Sequence, residues 1–183
     1  DNVATDYTGA HNLTFTGLSS AFTGQSPTIE TTNFGTAISI TFSSGVAGSG
    51  LVTLTAYRAQ SASVDVTDQT ISSTGAESYD LDLTVNPTSA NNLNFSQQPS
   101  NTIAGSSISP AILVQVRDIY NNVRTNDSAT SVGIAIGTNP GSGTLSGTTP
   151  QTVSLGVATF NNLSIDKTGN GYTLVASSSG LSN

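Results

Sequence analysis

Residues 112–119 alternate in side-chain character and then stop alternating, and that break constrains the fold more than any other feature of the sequence. Ile112, Val114 and Val116 interleave with Leu113, Gln115 and Arg117, the period of two that lays one face of a strand on a core. The pattern gives way at Tyr120-Asn-Asn122. Asparagine tolerates turn dihedrals and bonds its own backbone, so the chain is expected to reverse there. The second half of this stretch recurs. Asn122-Val-Arg-Thr125 reappears as Asn2-Val-Ala-Thr5, 120 positions earlier (122 against 2), and each copy runs through a Ser/Thr/Gly turn into a new alternating strand. Gly45-Val-Ala47 likewise matches Gly156-Val-Ala158, with Val52 and Leu54 standing where Leu163 and Ile165 stand. One kind of module is therefore expected twice.

Alternation predicts five strands in the first copy, at residues 13–15, 38–42, 52–56, 64–66 and 79–85, with residues 1–10 as a loop and 18–35 as a long polar excursion. In the second copy it predicts strands at 93–95, 112–116, 132–136, 153–160, 163–165 and 172–176, with a glycine-rich loop at 137–149 and a bulge at Asn161-Asn162. No helical period competes anywhere. Pro87-Thr-Ser-Ala-Asn-Asn92 reads as the linker, since proline stops a strand and small polar residues follow. The expected domains are 1–87 and 88–183, set end to end with limited bending because the linker is short. On one template the first domain lacks its first strands, the counterparts of 93–95 and 112–116, and the second lacks a last strand equivalent to 79–85. A sandwich without an edge strand exposes unpaired backbone. Each outer end is therefore expected to be completed by sequence or a neighbour outside this segment.

Composition supports thin β-layers. Across 183 residues, hydrophobic side chains make up 35% and aromatic ones 6%, while charged residues are only 8% against the usual quarter. Disorder is rejected because the strands alternate too cleanly and disordered chains usually carry high charge. Cysteine, methionine and tryptophan are absent, so oxidation has few targets, which fits life outside the cell. The net charge of −7, with only Arg58, Arg117, Arg124 and Lys167 as basic residues, leaves no patch for phosphates. Nucleic acid and anionic membrane surfaces are thus poor partners. No apolar run approaches the roughly 20 residues that span a bilayer. No signal-like segment opens the sequence either, so an interior piece or a processed form is expected.

Asp118-Ile-Tyr-Asn-Asn-Val123, followed by Gly143-Thr-Leu-Ser-Gly147 and Gly156-Val-Ala-Thr-Phe160, resembles the bacterial immunoglobulin-like repeats of large surface and adhesin proteins, similar to the invasin and intimin type. There an Asp-x-Tyr-Gly-Asn corner is typical, and Asn121 here replaces the glycine, which it can do because asparagine accepts left-handed dihedrals. Thr5-Asp-Tyr-Thr-Gly9 of the first module resembles a stretch of companion repeats. The resemblance covers nearly the whole chain and is one of turns and strands. It implies two tandem immunoglobulin-like Greek-key β-sandwiches, an all-β fold, and a non-enzymatic extracellular role at the bacterial cell surface as an adhesin stalk or filament building block. Partners would be neighbouring repeats of the same chain or identical subunits, joined by strand complementation. The alternative is a carbohydrate- or host-surface-binding module using loops 18–35 and 137–149, which hold only Phe22 and Phe34 as aromatics.

Candidate chemistry is sparse, and no cofactor is expected. Asp65, Asp68, Glu77, Asp80 and Asp82 gather near one end of the first module and are weak calcium candidates, because calcium takes six to eight such oxygens. No Asp-x-Asp-x-Asp-Gly loop accompanies them, and Asp80 and Asp82 can simply face water. His11, the one histidine, reads as a solvated loop residue, since no Gly-x-Ser-x-Gly nucleophile turn exists. Lys167, the one lysine, sits in a polar turn where exposure is natural rather than a cross-link to asparagine. Asn12, Asn94, Asn126 and Asn162 match the glycosylation pattern, which arises often by chance in so Ser-, Thr- and Asn-rich a chain. Thr14-Phe-Thr16 and Thr53-Leu-Thr55 are ordinary strand threonines. Tyr172 is expected to be a tyrosine corner fixing a connection.

Overall fold

The computed structural model describes residues 3–48, 52–75 and 80–181. The chain divides into two compact units, Asp1–Asn86 and Pro87–Asn183. All regular structure among the described residues is β, and every strand pair is antiparallel.

In the first unit the strands are β1 (Gly9–Thr16), β2 (Thr28–Ile29), β3 (Thr32–Asn33), β4 (Ala37–Ser43), β5 (Val46–Ala47), β6 (Leu54–Thr55), β7 (Gln60–Thr67) and β8 (Leu81–Val85). Five of them form a sheet in the order β5-β4-β1-β7-β8, and β3-β2-β6 form a small second one. The register shows why this order holds. His11 faces Ile40 and Leu13 faces Ile38 across β1 and β4, Phe15 faces Val66 across β1 and β7, and Val64 faces Leu81 across β7 and β8. Cross-strand partners share a face. The apolar members of four strands therefore collect on one side of the sheet. Leu18, Ala21 and Ile29 from the 18–35 excursion are buried as well, so the excursion forms part of this unit's apolar interior.

The second unit contains β9 (Asn92–Gln97), β10 (Ile112–Arg117), β11 (Ser131–Ile136), β12 (Leu145–Ser146), β13 (Gln151–Thr152), β14 (Val157–Phe160), β15 (Ser164–Ile165) and β16 (Leu174–Ser177). Two three-stranded sheets, β14-β10-β9 and β13-β11-β16, contribute their inward side chains to one cluster, an arrangement consistent with a β-sandwich. Ile112, Val114 and Val116 are wholly buried while Leu113, Gln115 and Arg117 are half-buried, as their alternation requires. Phe160, which faces Ile112 across β10 and β14, joins them with Val132 and Leu163 in the same cluster.

Short strands escape a reading by alternation, since two residues carry no period. The 18–35 excursion contains β2 and β3, the expected strand at 52–56 shrinks to β6, and the glycine-rich loop holds β12, which pairs with β15. Residues 9 and 10, expected as loop, belong to β1 because Gly9 and Ala10 pair with Phe42 and Thr41. At Asn161-Asn162 the chain does not bulge but changes sheets, leaving β14 for the β12-β15 pair. The irregularity in the ladder lies instead at Leu113/Val114, between β10 and β9. Tyr79, expected in the strand that becomes β8, lies outside the described residues.

One corner is built the same way in both units. Ser44 and Gly45 have φ of 50° and 78°, and Leu155 and Gly156 have 49° and 79°, so each pair makes a two-residue hairpin turn with both central residues left-handed. Tyr7 donates its N–H to Ala4 O as Asp127 does to Arg124 O, and Gly45 donates to Tyr7 O as Gly156 does to Asp127 O. A Cβ on Gly45 would run into Ala4 O and Val3, and one on Gly156 into Arg124 O and Val123. Glycine is needed twice over at these positions, for φ and for the close approach. Gly156→Ala should therefore destabilise the fold by about 1–3 kcal/mol in urea denaturation. Gly171→Ala, equally left-handed at φ 89° but with nothing near its Cβ, should cost only about 1 kcal/mol.

Candidate functional site

In the second unit the Asp118 carboxylate is fully buried and accepts five hydrogen bonds. It follows β10, whose alternation delivers it to the core side just as the strand ends. Oδ1 accepts the N–H groups of Tyr120 and Asn122, each at 2.9 Å. Oδ2 accepts Asn122 Nδ2 at 3.0 Å, the Thr88 N–H at 2.9 Å and the Thr88 hydroxyl at 3.3 Å. Main-chain bonds from Asn121 N to Asp118 O and from Asp118 N to Asn122 O close the turn, and Asn121 sits at φ 63°. The left-handed dihedral expected of Asn121 is thus present. Burial pushes the Asp118 carboxyl upward, yet the Asn122 amide and the N–H groups of Thr88, Asn122 and Tyr120 outweigh it and hold the acid below its ordinary value.

Asp127 repeats this logic nine residues further on (127 against 118). It accepts the N–H groups of Ala129 and Thr130 and the Thr130 hydroxyl, and it pairs with Arg124 at 3.3 Å. Burial raises its carboxyl, and the Thr130 hydroxyl, the two N–H groups and Arg124 together bring it below the usual range. Both acids are saturated by internal donors. They hold loops in place and leave no lone pair aimed at a ligand.

Of the calcium candidates, Asp65, Asp68 and Asp82 each have their own local hydrogen-bond partners. Asp68 accepts the Tyr7 hydroxyl at 2.8 Å and the N–H groups of Thr70 and Ile71. The Ile71 N–H first, then the Tyr7 hydroxyl and the Thr70 N–H, hold its carboxyl below the usual carboxylate range, while burial, the hydrogen bond to Asp68 and the Asp68 charge push the Tyr7 hydroxyl above its ordinary value. Asp82 accepts the Ser63 hydroxyl at 2.7 Å across β7 and β8, and Asp65 accepts the Ser73 hydroxyl at 3.3 Å. Asp80 is half-buried just before β8, and Glu77 lies outside the described residues. Among the described residues no group of three or more His, Cys, Asp or Glu side chains is placed to hold a metal ion.

His11 differs from its expected place. It is a half-buried member of β1 rather than a solvated loop residue, stacked on Tyr7 at 3.8 Å between ring centroids, with Phe42 edge-on to both rings. Gly9 and His11 face Phe42 and Ile40 in the ladder, which is what brings these aromatics together. Tyr7 and Phe42 border an open cavity of about 510 Å³ whose walls also include Leu13, Val66 and Ile71. Beyond the parity of His11 with Leu13, nothing in the residue pattern points to this cluster. Tyr172 is also placed differently. Its buried hydroxyl makes no hydrogen bond among the described residues, and the ring packs on the bare backbone of Gly141, Gly143 and Gly169, so it is not a hydrogen-bonded corner. Lys167 is exposed, as are Asn12, Asn94, Asn126 and Asn162. Phe22 is 62% exposed, with the Arg58 guanidinium 4.5 Å above its ring, whereas Phe34 packs near Phe15.

No protein-family model and no curated protein matches the chain.

The depressed acids fix the pH response of the fold. A carboxyl lowered in the folded state contributes stability above its unfolded value of about 3.9 and loses that contribution as pH falls through the folded value. Thermal stability should therefore hold down to about pH 4 and fall below it. Asp118→Asn removes the charge while keeping the shape, so it should cost about 2–4 kcal/mol at pH 7. The same variant should show a shallower acid limb when melting is followed by circular dichroism from pH 7 to 2.

Proposed function

We propose that this chain is a structural, non-catalytic tandem pair of immunoglobulin-like Greek-key modules from a bacterial extracellular surface protein, acting as an adhesin stalk or filament building block. The observation that carries this reading is the corner built alike at Gly45 and Gly156, with matching hydrogen bonds from Tyr7 and Asp127. A head-to-tail array of like modules suits a part that sets distance and bears load. In each unit a central strand is flanked on both sides, β1 by β4 and β7, and β11 by β13 and β16. Pulling loads several ladder bonds at once, each worth about 1 kcal/mol net, so none breaks alone. At the start of the second unit Pro87 is buried and Thr88 is bonded twice to Asp118, which removes slack where force enters it. Low charge and the absence of cysteine and methionine suit an extracellular setting.

The test has two parts. Antibodies against the chain should decorate intact bacteria that produce it, and label confined to lysed cells rejects the surface role. Stretched between its ends in a single-molecule instrument, the chain should unfold in two separate events. Featureless extension rejects the load-bearing role.

The second reading, carbohydrate or host-surface binding, is favoured by Phe22 standing exposed on the 18–35 loop under Arg58. It predicts saturable binding on a glycan array that Phe22→Ala abolishes. An array without signal removes it.

A further inference from the structure

In the second unit both sheets end side by side. β9 pairs with β10 and β16 pairs with β11, and among the described residues no strand pairs with the other edge of either. Between the two open edges lies a groove of about 320 Å³, lined by Leu93, Asn94 and Phe95 on one side and Leu174, Val175 and Ala176 on the other.

The backbone of β16 is poised to pair there. Thr173 donates to Thr138 O and accepts from Gly137 N, so its polar groups point towards β11. In an antiparallel ladder this direction alternates, which turns the N–H and C=O of Leu174 and Ala176 to the groove. Ile134 bears this out from the other side. It faces Ala176 in the register yet gives its N–H to the Thr149 hydroxyl, away from β16.

The first unit shows what occupies the corresponding edge. There β7 stands next to the central strand β1 as β16 stands next to β11, and β8 covers its outer edge, with Leu81 opposite Val64 and Leu83 opposite Ala62. β8 carries Asp82, which accepts the Ser63 hydroxyl across the ladder at 2.7 Å. The groove walls likewise include no carboxylate, although the chain as a whole carries a net charge of −7. An acid-bearing strand therefore meets no repulsion there.

We infer that the groove between β9 and β16 is a docking site for an extended strand of a partner polypeptide, of the kind exemplified by β8: aliphatic residues at alternate positions, with neutral or acidic polar residues between. The strand completes the sheet by main-chain bonds to Leu174 and Ala176, and its aliphatic side chains enter between Phe95 and Leu174, the mode of recognition by strand addition. The equivalence of β7 with β16 rests on the tandem-module reading above. Its own test does not use that reading, so loss of one leaves the other to be judged separately.

The probe is a synthetic peptide with the sequence of residues 80–87, added to the intact 183-residue chain. Hydrogen exchange should show the amides of Leu174 and Ala176 slowed at least tenfold by the peptide, with saturation, while the amides of β7 stay unchanged. The same peptide carrying Leu83→Asp, which would bury a charge in the groove, should lose at least tenfold in affinity. All changes are made in the peptide, so folding of the protein is untouched. No protection at β16, or protection that Leu83→Asp leaves intact, overturns the proposal. It is also overturned if those two amides are already slow without peptide and become fast on dilution, which would make a second copy of the chain the occupant.

Discussion

A carboxylate with no water around it must be answered by donors, and Asp118 is answered by five. Burying that charge unpaired would cost several kcal/mol, so its position dictates what surrounds it. Tyr120 and Asn122 bend back to it from one side, and Thr88 comes in from the start of the unit. The acid thus joins the entry of the chain to the end of β10. The same strand buries Ile112, Val114 and Val116 completely, so the polar knot and the apolar core share one register. Shifting β10 by a residue would expose the core and the carboxylate together.

The two units differ in how completely their apolar faces are covered. In the second, the inward residues of two sheets meet, and Phe160, Leu163 and Val132 are all but sealed. In the first, Leu81 lies on the face of buried Val64 yet is 58% exposed, and the Tyr7 cavity opens onto Leu13 and Phe42. Stability should accordingly be uneven along the chain, because buried apolar area is what resists opening. For a protein proposed to carry load, the second unit supplies the resistance and the first the more adaptable surface.

Much of this was legible in the residues, though unequally. Strands of five or more alternating residues, such as those around Ile40 and Val114, could be placed because their period is long enough to count. The left-handed Asn121 followed from its chemistry, and the likeness of Gly45 to Gly156 pointed to two matching turns. What could not be read depended on partners distant in sequence. Strands of two residues exist only because β6 meets β2 and β15 meets β12. The stack of His11 on Tyr7 follows from the pairing of β1 with β4, and Tyr172 rests in part on Gly141 and Gly143, about 30 residues before it, which only loop closure brings near.

The sequence by itself determined that this is an all-β protein, where its longer strands run, and which asparagine and glycine positions turn the chain, since those follow from side-chain alternation and local dihedral preference. Tertiary structure alone decided which acids are sealed by donors, which aromatic rings touch and where sheet edges stand open. Those outcomes depend on which strands lie side by side, and no local preference encodes that.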